Sequence, residues 1–156
     1  DPALYGMATT VVAAVCRGGD VLLAHLGDSR AYLVRDGRLR RLTCDHSLVE
    51  EMVQAGRLSE REARHHHLRH IVTRSLGVDE VARPDLAESE WAPGDILLLC
   101  SDGLTAMLDD EDIAAAFASR SCDLQETAVA LVEEANRRGG YDNISVVLAL
   151  NQEDLT

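Results

Sequence analysis

Alternation of apolar and polar residues opens the chain. "MATTVVAAVC" (Met7 to Cys16) is rich in Val and Thr, and "DVLLAHLG" (Asp20 to Gly27) follows the glycine pair of "RGGD". That pattern predicts two antiparallel strands joined by a tight hairpin. "AYLVRDGRLRRLT" repeats the arrangement around Asp36-Gly37, a pair favoured in two-residue hairpin turns. The period then changes. In "DHSLVEEMVQAGRLSEREARHHH", Leu48, Val49, Met52 and Val53 recur at helical spacing, and Gly56 is a stop signal. Ser59 with Glu62 marks a second, short helix with a capping-box pattern. This excursion, residues 45–75, is polar with few core residues, and is expected to form a mobile flap.

Strand character returns in "DLAESEWA" and "DILLLC", linked through Pro93-Gly94, and Ile96 to Cys100 is a continuous apolar run suited to full burial. "DDEDIAAAFAS" reads as a helix with acidic residues in its first turn. "DLQETAVALVEEANRRGG" is a longer helix, with Asp123 and Glu126 as a capping box and Ala128, Leu131, Val132 and Ala135 at helical spacing. "ISVVLAL" is the last strand. Strands, then helices, then a strand, with little βαβ alternation, predict an α+β fold: antiparallel sheets carrying helices on the outside.

At 156 residues the chain is long enough for one domain with a sizeable core. Aromatic residues are only 3% of it, so that core must be built from Val, Leu, Ile and Ala. The formal net charge of −12 argues against non-specific binding to nucleic acid or to an anionic membrane surface. It also means that a phosphorylated substrate is repelled unless cations intervene. No apolar run approaches the roughly 18 residues of a membrane span, and no secretory leader pattern opens the chain. Cys16, Cys44, Cys100 and Cys122 form no C-x-x-C pair. Cys16 and Cys100 lie in strand-like runs, where a cysteine packs as a small hydrophobe. A reducing, cytoplasmic setting fits these features. The start at Asp1, without methionine and almost at once in a strand, reads as a cut inside a larger protein.

Aspartates stand at the ends of several strand-like segments: Asp28 in "GDSR", Asp102 in "SDG", Asp142 in "YDN", and Asp45 in "TCDHS". A turn and a metal ligand both fit Asp102 on local grounds. If Asp102 leaves its strand on the rim where Asp142 enters the next, as antiparallel neighbours allow, the two carboxylates converge. Like charges so placed need compensation, and a hard divalent cation with oxygen ligands supplies it while attracting phosphate. Asp28 followed by Arg30 reads equally well as a structural salt bridge. His65, His66, His67 and His70 read as a solvated run, because adjacent helical residues do not share a face. Ser101 lacks the G-x-S-x-G elbow of a hydrolase nucleophile.

Six segments in order, "GMATTVVAAV", "GDSRAYLVRDGRL", "LTCDHSLVEEMVQAGRLS", "RSLG", "SDGL" and "YDNISVVLAL", resemble the metal-dependent protein serine/threonine phosphatases of the PP2C type, in a bacterial version. The resemblance runs from Tyr5 to Leu150. It implies two antiparallel sheets packed face to face with helices on both outer sides, a four-layer αββα arrangement. It implies Mn²⁺ or Mg²⁺ held at one edge, with Asp102 and Asp142 as ligands of the catalytic ion and Asp45 as ligand of a weaker third one. Metal-activated water would attack phosphoserine or phosphothreonine directly. Partners would be phosphorylated proteins, including serine/threonine kinases and their substrates, with no nucleic acid and no membrane contact from this segment. The family's N-terminal phosphate-gripping arginine and D-G-x-G-G motif do not precede Asp1. The chain is therefore expected to be a partial phosphatase domain spanning 1–156, inactive alone, with exposed strand edges that invite dimerisation or aggregation. The alternative is a non-catalytic phosphatase-like binding or regulatory module.

Overall fold

The computed structural model describes residues 6–78, 81–118 and 123–152; residues 1–5 and Cys122 lie outside the described part. Among these residues, seven strands and five helices run in the order β1 (Val11–Arg17), β2 (Asp20–Leu26), β3 (Arg30–Arg35), β4 (Arg38–Arg41), α1 (Leu48–Gln54), α2 (Glu60–His65), β5 (Asp85–Glu90), β6 (Ile96–Cys100), α3 (Asp102–Thr105), α4 (Asp110–Ala115), α5 (Leu124–Arg137) and β7 (Val146–Leu150). The strands make two sheets, ordered β1-β2-β5 and β4-β3-β6-β7, and every pairing is antiparallel. The hairpin at Asp36-Gly37 has both residues at positive φ, 51° and 72°, which is why an Asp-Gly pair occupies it.

Two apolar layers hold the sheets. Between them, Val21 and Leu23 of β2 pack with Ala31, Leu33 and Leu97 of the four-stranded sheet, and Trp91 closes one end. On the other face of that sheet, Tyr32, Val34, Leu98 and Cys100 pack against Leu104, Leu108, Ile113, Phe117, Leu131 and Ala135 from the helical segments. Strand β6 therefore has apolar neighbours on both sides, as its unbroken apolar run requires. The capping signals read from the sequence are used. Ser59 and Glu62 form a complete capping box on α2, and Asp123 accepts a hydrogen bond from the Glu126 amide, one half of the box expected there.

The α+β class with antiparallel sheets and flanking helices agrees with the sequence. The described helices α3, α4 and α5 build the layer against the four-stranded sheet. The far face of the three-stranded sheet instead presents Val15, Leu22 and Leu86 to solvent at 63%, 43% and 69% exposure. Cys100 is buried as expected, whereas Cys16, at the end of the edge strand β1, is exposed. The expectation of a packed Cys16 fails although it shares the inner face with its cross-strand partner Val21, because β1 is the edge strand of its sheet and Cys16 stands near its end. Helices α1 and α2 form the expected polar excursion, with Val49 and Ala63 as their buried residues. Its base is closed by the Ser47–Val72 bridge and by the Thr73 amide donating to the His46 carbonyl at 2.8 Å. Among the described residues no helix is long and apolar enough to cross a membrane.

The two faces predict opposite sensitivities. Leu98→Ala, in a fully buried position, is expected to lower unfolding free energy by about 2–5 kcal/mol in urea titration. Val15→Ala is expected to change it by less than about 0.5 kcal/mol.

Candidate metal centre

Strand register sets the geometry of the site. Arg30 at the start of β3 pairs with Cys100 at the end of β6, and Cys100 pairs with Val146 at the start of β7. Tyr32 pairs with Arg41 at the end of β4, so the end of β4 lies on the same rim. Four chain crossings thus meet at one edge of the sandwich. Asp28 sits in the turn that carries the chain from β2 in one sheet to β3 in the other, and Asp102 is the first residue of α3, directly beyond β6. Asp142 lies just before β7, and Asp45 just after β4.

Close backbone approaches fix these turns. Gly27 has φ +115°, and a Cβ there would lie 2.4 Å from Thr10 Cγ2, so only glycine fits. Beside it, the Thr10 and Ser29 hydroxyls are 2.8 Å apart. The His46 amide donates to the Gly27 carbonyl at 2.8 Å, and the Gly27 amide donates to His46 Nδ1 at 3.0 Å. The Asp28 turn is therefore clipped to the Asp45–His46 segment from both directions. His46 Nε2 faces Asp85 Oδ2 at 3.0 Å and Arg74 Nη1 at 2.7 Å, which ties the base of the flap to β5. On the other strand pair, a Cβ on Gly103 would fall 2.4 Å from the Asn143 carbonyl oxygen. Glycine after Asp102 lets the Asp142-Asn143 loop lie against α3.

The charges divide into two sets. Asp45 is neutralised by guanidinium groups. Arg30 Nε and Nη2 donate to its two oxygens at 3.0 and 2.7 Å, and Arg41 Nη2 reaches Oδ1 at 2.5 Å, with the Asp45 side chain only 10% exposed. Arg30 thus pairs with Asp45, fifteen positions along the chain, and not with Asp28 beside it. Asp28, Asp102 and Asp142 form the other set. Burial, with the charges of Asp102 and Asp45 behind it, pushes the Asp28 carboxyl up to about 6. The Asp102 carboxyl is also raised, first by burial and then by the Asp142 charge, with His70 acting in the opposite sense. Both shifts come first from burial and then from neighbouring carboxylates, a charge that a divalent cation bound there would offset. The donor set fits a hard ion, since all three offer carboxylate oxygens. It does not amount to a closed shell: among the described residues no three His, Cys, Asp or Glu side chains are grouped closely enough to hold an ion.

Asp102 and Asp142 thus come to one rim on neighbouring antiparallel strands. Asp28 joins them electrostatically, and the sequence signal for it was already present in a Gly-Asp step between two strands. His65, His67 and His70 are exposed and the His66 and His67 rings lie 4.5 Å apart, and of the run His70 is the one that acts on the Asp102 carboxyl.

The described residues thus form an antiparallel α+β sandwich with helices on one outer face and a carboxylate rim at one edge. Residues 3–135 match the family described as protein phosphatase 2C, and the chain belongs to it. It is 42% identical over 149 residues, 96% of its length, to a putative protein phosphatase 2C-type of Streptococcus pyogenes. To a serine/threonine phosphatase stp of Listeria monocytogenes it is 41% identical over 153 residues, 98% of its length. The chain spans 60% of the length of each of these relatives. The crystal structure of the Mycobacterium tuberculosis serine/threonine phosphatase PstP/Ppp superposes with a TM-score of 0.91 at 41% identity, covering 98% of this chain and 64% of that one. The catalytic domain of PstP in complex with two manganese ions gives a TM-score of 0.87 at 40% identity, covering 98% and 63%.

The raised Asp28 carboxyl has a consequence for pH. Its neutral form is favoured by folding, so its stabilising contribution is complete below the ordinary aspartate range of about 4 and is lost as pH rises through about 6. With chelator present, Asp28→Asn is expected to be more stable than wild type by about 2 kcal/mol near neutral pH, with the gap closing toward about pH 4. Thermal or urea unfolding across that range measures it.

Proposed function

We propose that this chain supplies part of the metal site of a protein serine/threonine phosphatase, one that hydrolyses phosphoserine and phosphothreonine in proteins. The observation that carries the reading is the rim shared by Asp28, Asp102 and Asp142, uncompensated in charge, in a chain about 40% identical to serine/threonine phosphatases over nearly its whole length. Asp102 and Asp142 are assigned to the catalytic ion, Mn²⁺ or Mg²⁺, and the manganese-bearing PstP domain supports that choice. We assign the further ligand position, expected at Asp45, to Asp28. Asp45 has its oxygens engaged by Arg30 and Arg41, and a carboxylate cannot serve two guanidinium groups and an ion equally well.

A divalent ion in this place supplies an acidified water and positive charge against a phosphoryl group. The chain's own contribution is to hold carboxylates on rigid strand ends and to keep Asp45 locked in its ion pair, so that Arg30 and Arg41 brace the rim from below. The net charge of −12 makes such an ion a condition for phosphate approach. Phosphorylated proteins, among them serine/threonine kinases and their substrates, are the expected partners. Free, exposed Cys16 and Cys44 favour a reducing cytoplasmic setting.

The isolated chain is expected to hydrolyse p-nitrophenyl phosphate weakly or not at all, because its three carboxylates do not close a shell. A version extended to the length of the relatives is expected to be active with Mn²⁺. In that version Asp102→Asn should reduce turnover by at least about a hundredfold, and Asp28→Asn should raise the Mn²⁺ concentration needed. Asp45→Asn should act on stability instead, lowering unfolding free energy by about 3 kcal/mol, since two part-buried guanidinium groups lose their partner. Strong Mn²⁺-dependent turnover by the isolated chain, abolished by Asp102→Asn, would overturn its incompetence. Silence from the extended version would favour a binding module.

A further inference from the structure

Ser101 occupies the N-cap position of α3, where a serine ordinarily turns its hydroxyl onto the backbone amides of the first turn. Here it makes no such bond. Its hydroxyl points across to the neighbouring strand, donating to the Asn143 carbonyl at 3.0 Å and accepting from the Ser145 amide at 2.9 Å. The Ser101 amide also donates to the Ser145 carbonyl at 3.1 Å, one step beyond the last β6–β7 pair, Cys100 with Val146. One side chain thus extends the ladder past its end and grips the loop that carries Asp142, while the next residue along its own backbone is Asp102. Gly103 completes the arrangement by leaving room for the Asn143 carbonyl. Within that loop, the Asn143 amide donates to Asp142 Oδ1 at 2.7 Å, so the gripped segment also orients the carboxylate.

We propose that Ser101 is a positioning residue whose hydroxyl sets the relation between the Asp102 and Asp142 carboxylates, at the expense of capping its own helix. This rests on the metal-site reading above, though the grip itself does not. Asp102 and Asp142 carry like charge at one rim, so without a tie the Asp142 loop would relax away from α3. The hydroxyl resists that relaxation with two hydrogen bonds directed at the loop's backbone. The backbone bond from Ser101 to the Ser145 carbonyl holds that one point and leaves residues 143–144 to the hydroxyl.

The test compares Ser101→Ala, which removes both bonds, with Ser101→Thr, which keeps the hydroxyl. Asp109→Ala serves as a control that removes an N-cap on α4, where Asp109 accepts from the Asp112 amide. Two quantities are read on the full chain: amide hydrogen exchange by NMR with chelator present, and Mn²⁺ affinity by titration calorimetry. In Ser101→Ala, protection of the Ser145 amide should fall about tenfold while that of Leu98 in β6 stays put, and the Mn²⁺ Kd should rise about tenfold. Ser101→Thr should restore both. Asp109→Ala should lower Tm yet leave Ser145 protection and Mn²⁺ affinity unchanged. Unchanged Ser145 protection in Ser101→Ala overturns the proposal, as does an equal effect from Asp109→Ala, or lost protection with unaltered affinity. Failure of wild type to take up Mn²⁺ counts against the metal reading, and the grip is then judged by the exchange arm alone.

Discussion

Leu97 and Leu98 are neighbours in β6, and both are almost inaccessible to water. One packs toward the three-stranded sheet and the other toward the helices. A strand so enclosed cannot turn either face outward, so β6 and its partners β3 and β7 make the central layer of the molecule. The polar residues flanking those strands have nowhere to go except the rims. Antiparallel pairing then gathers the start of β3, the ends of β4 and β6 and the start of β7 on the same rim. The acidic edge is a consequence of how the core is buried, and its rigidity comes from the same source.

Four aspartates on one rim would repel strongly if nothing sorted them. The protein sorts them with arginine. Arg30 and Arg41 take Asp45 in a fork of charge-assisted hydrogen bonds, and Tyr32 links Arg30 onward to Asp110. Asp28, Asp102 and Asp142 have no such fork among the described residues, and the Asp28 and Asp102 carboxyls are raised first by burial and then by neighbouring acidic charge. The contrast between a neutralised carboxylate and three uncompensated ones separates a structural acid from candidate ligands. The resemblance implies Asp45 as a ligand, and the proposed reassignment of that position to Asp28 rests on this contrast.

Much of the fold is legible in the chain. The hairpins at "RGGD" and Asp36-Gly37, the capping box of Ser59 and Glu62, and the helix opened by Asp123 all form where their local chemistry directs them. Turn and cap preferences act over a few residues, and the sequence states them directly. The covered or uncovered state of a sheet face does not follow from such signals. Cys16 and Val15 sit in an apolar run and yet face solvent, because burial depends on what packs opposite.

The candidate site divides along the same line. Sequence by itself determined that acidic residues would stand at strand ends, that Gly103 would follow one of them, and that β6 would be buried. Tertiary structure decided the partnerships. Arg30 lies two positions from Asp28 and fifteen from Asp45, yet it binds Asp45, because β3 and the segment after β4 are laid side by side by their register. Ser101 heads a helix and yet bonds across to Asn143 and Ser145, because β7 brings them within reach. A side chain chooses among partners by distance in space, and for residues far apart in the chain only the packed sheets fix that distance.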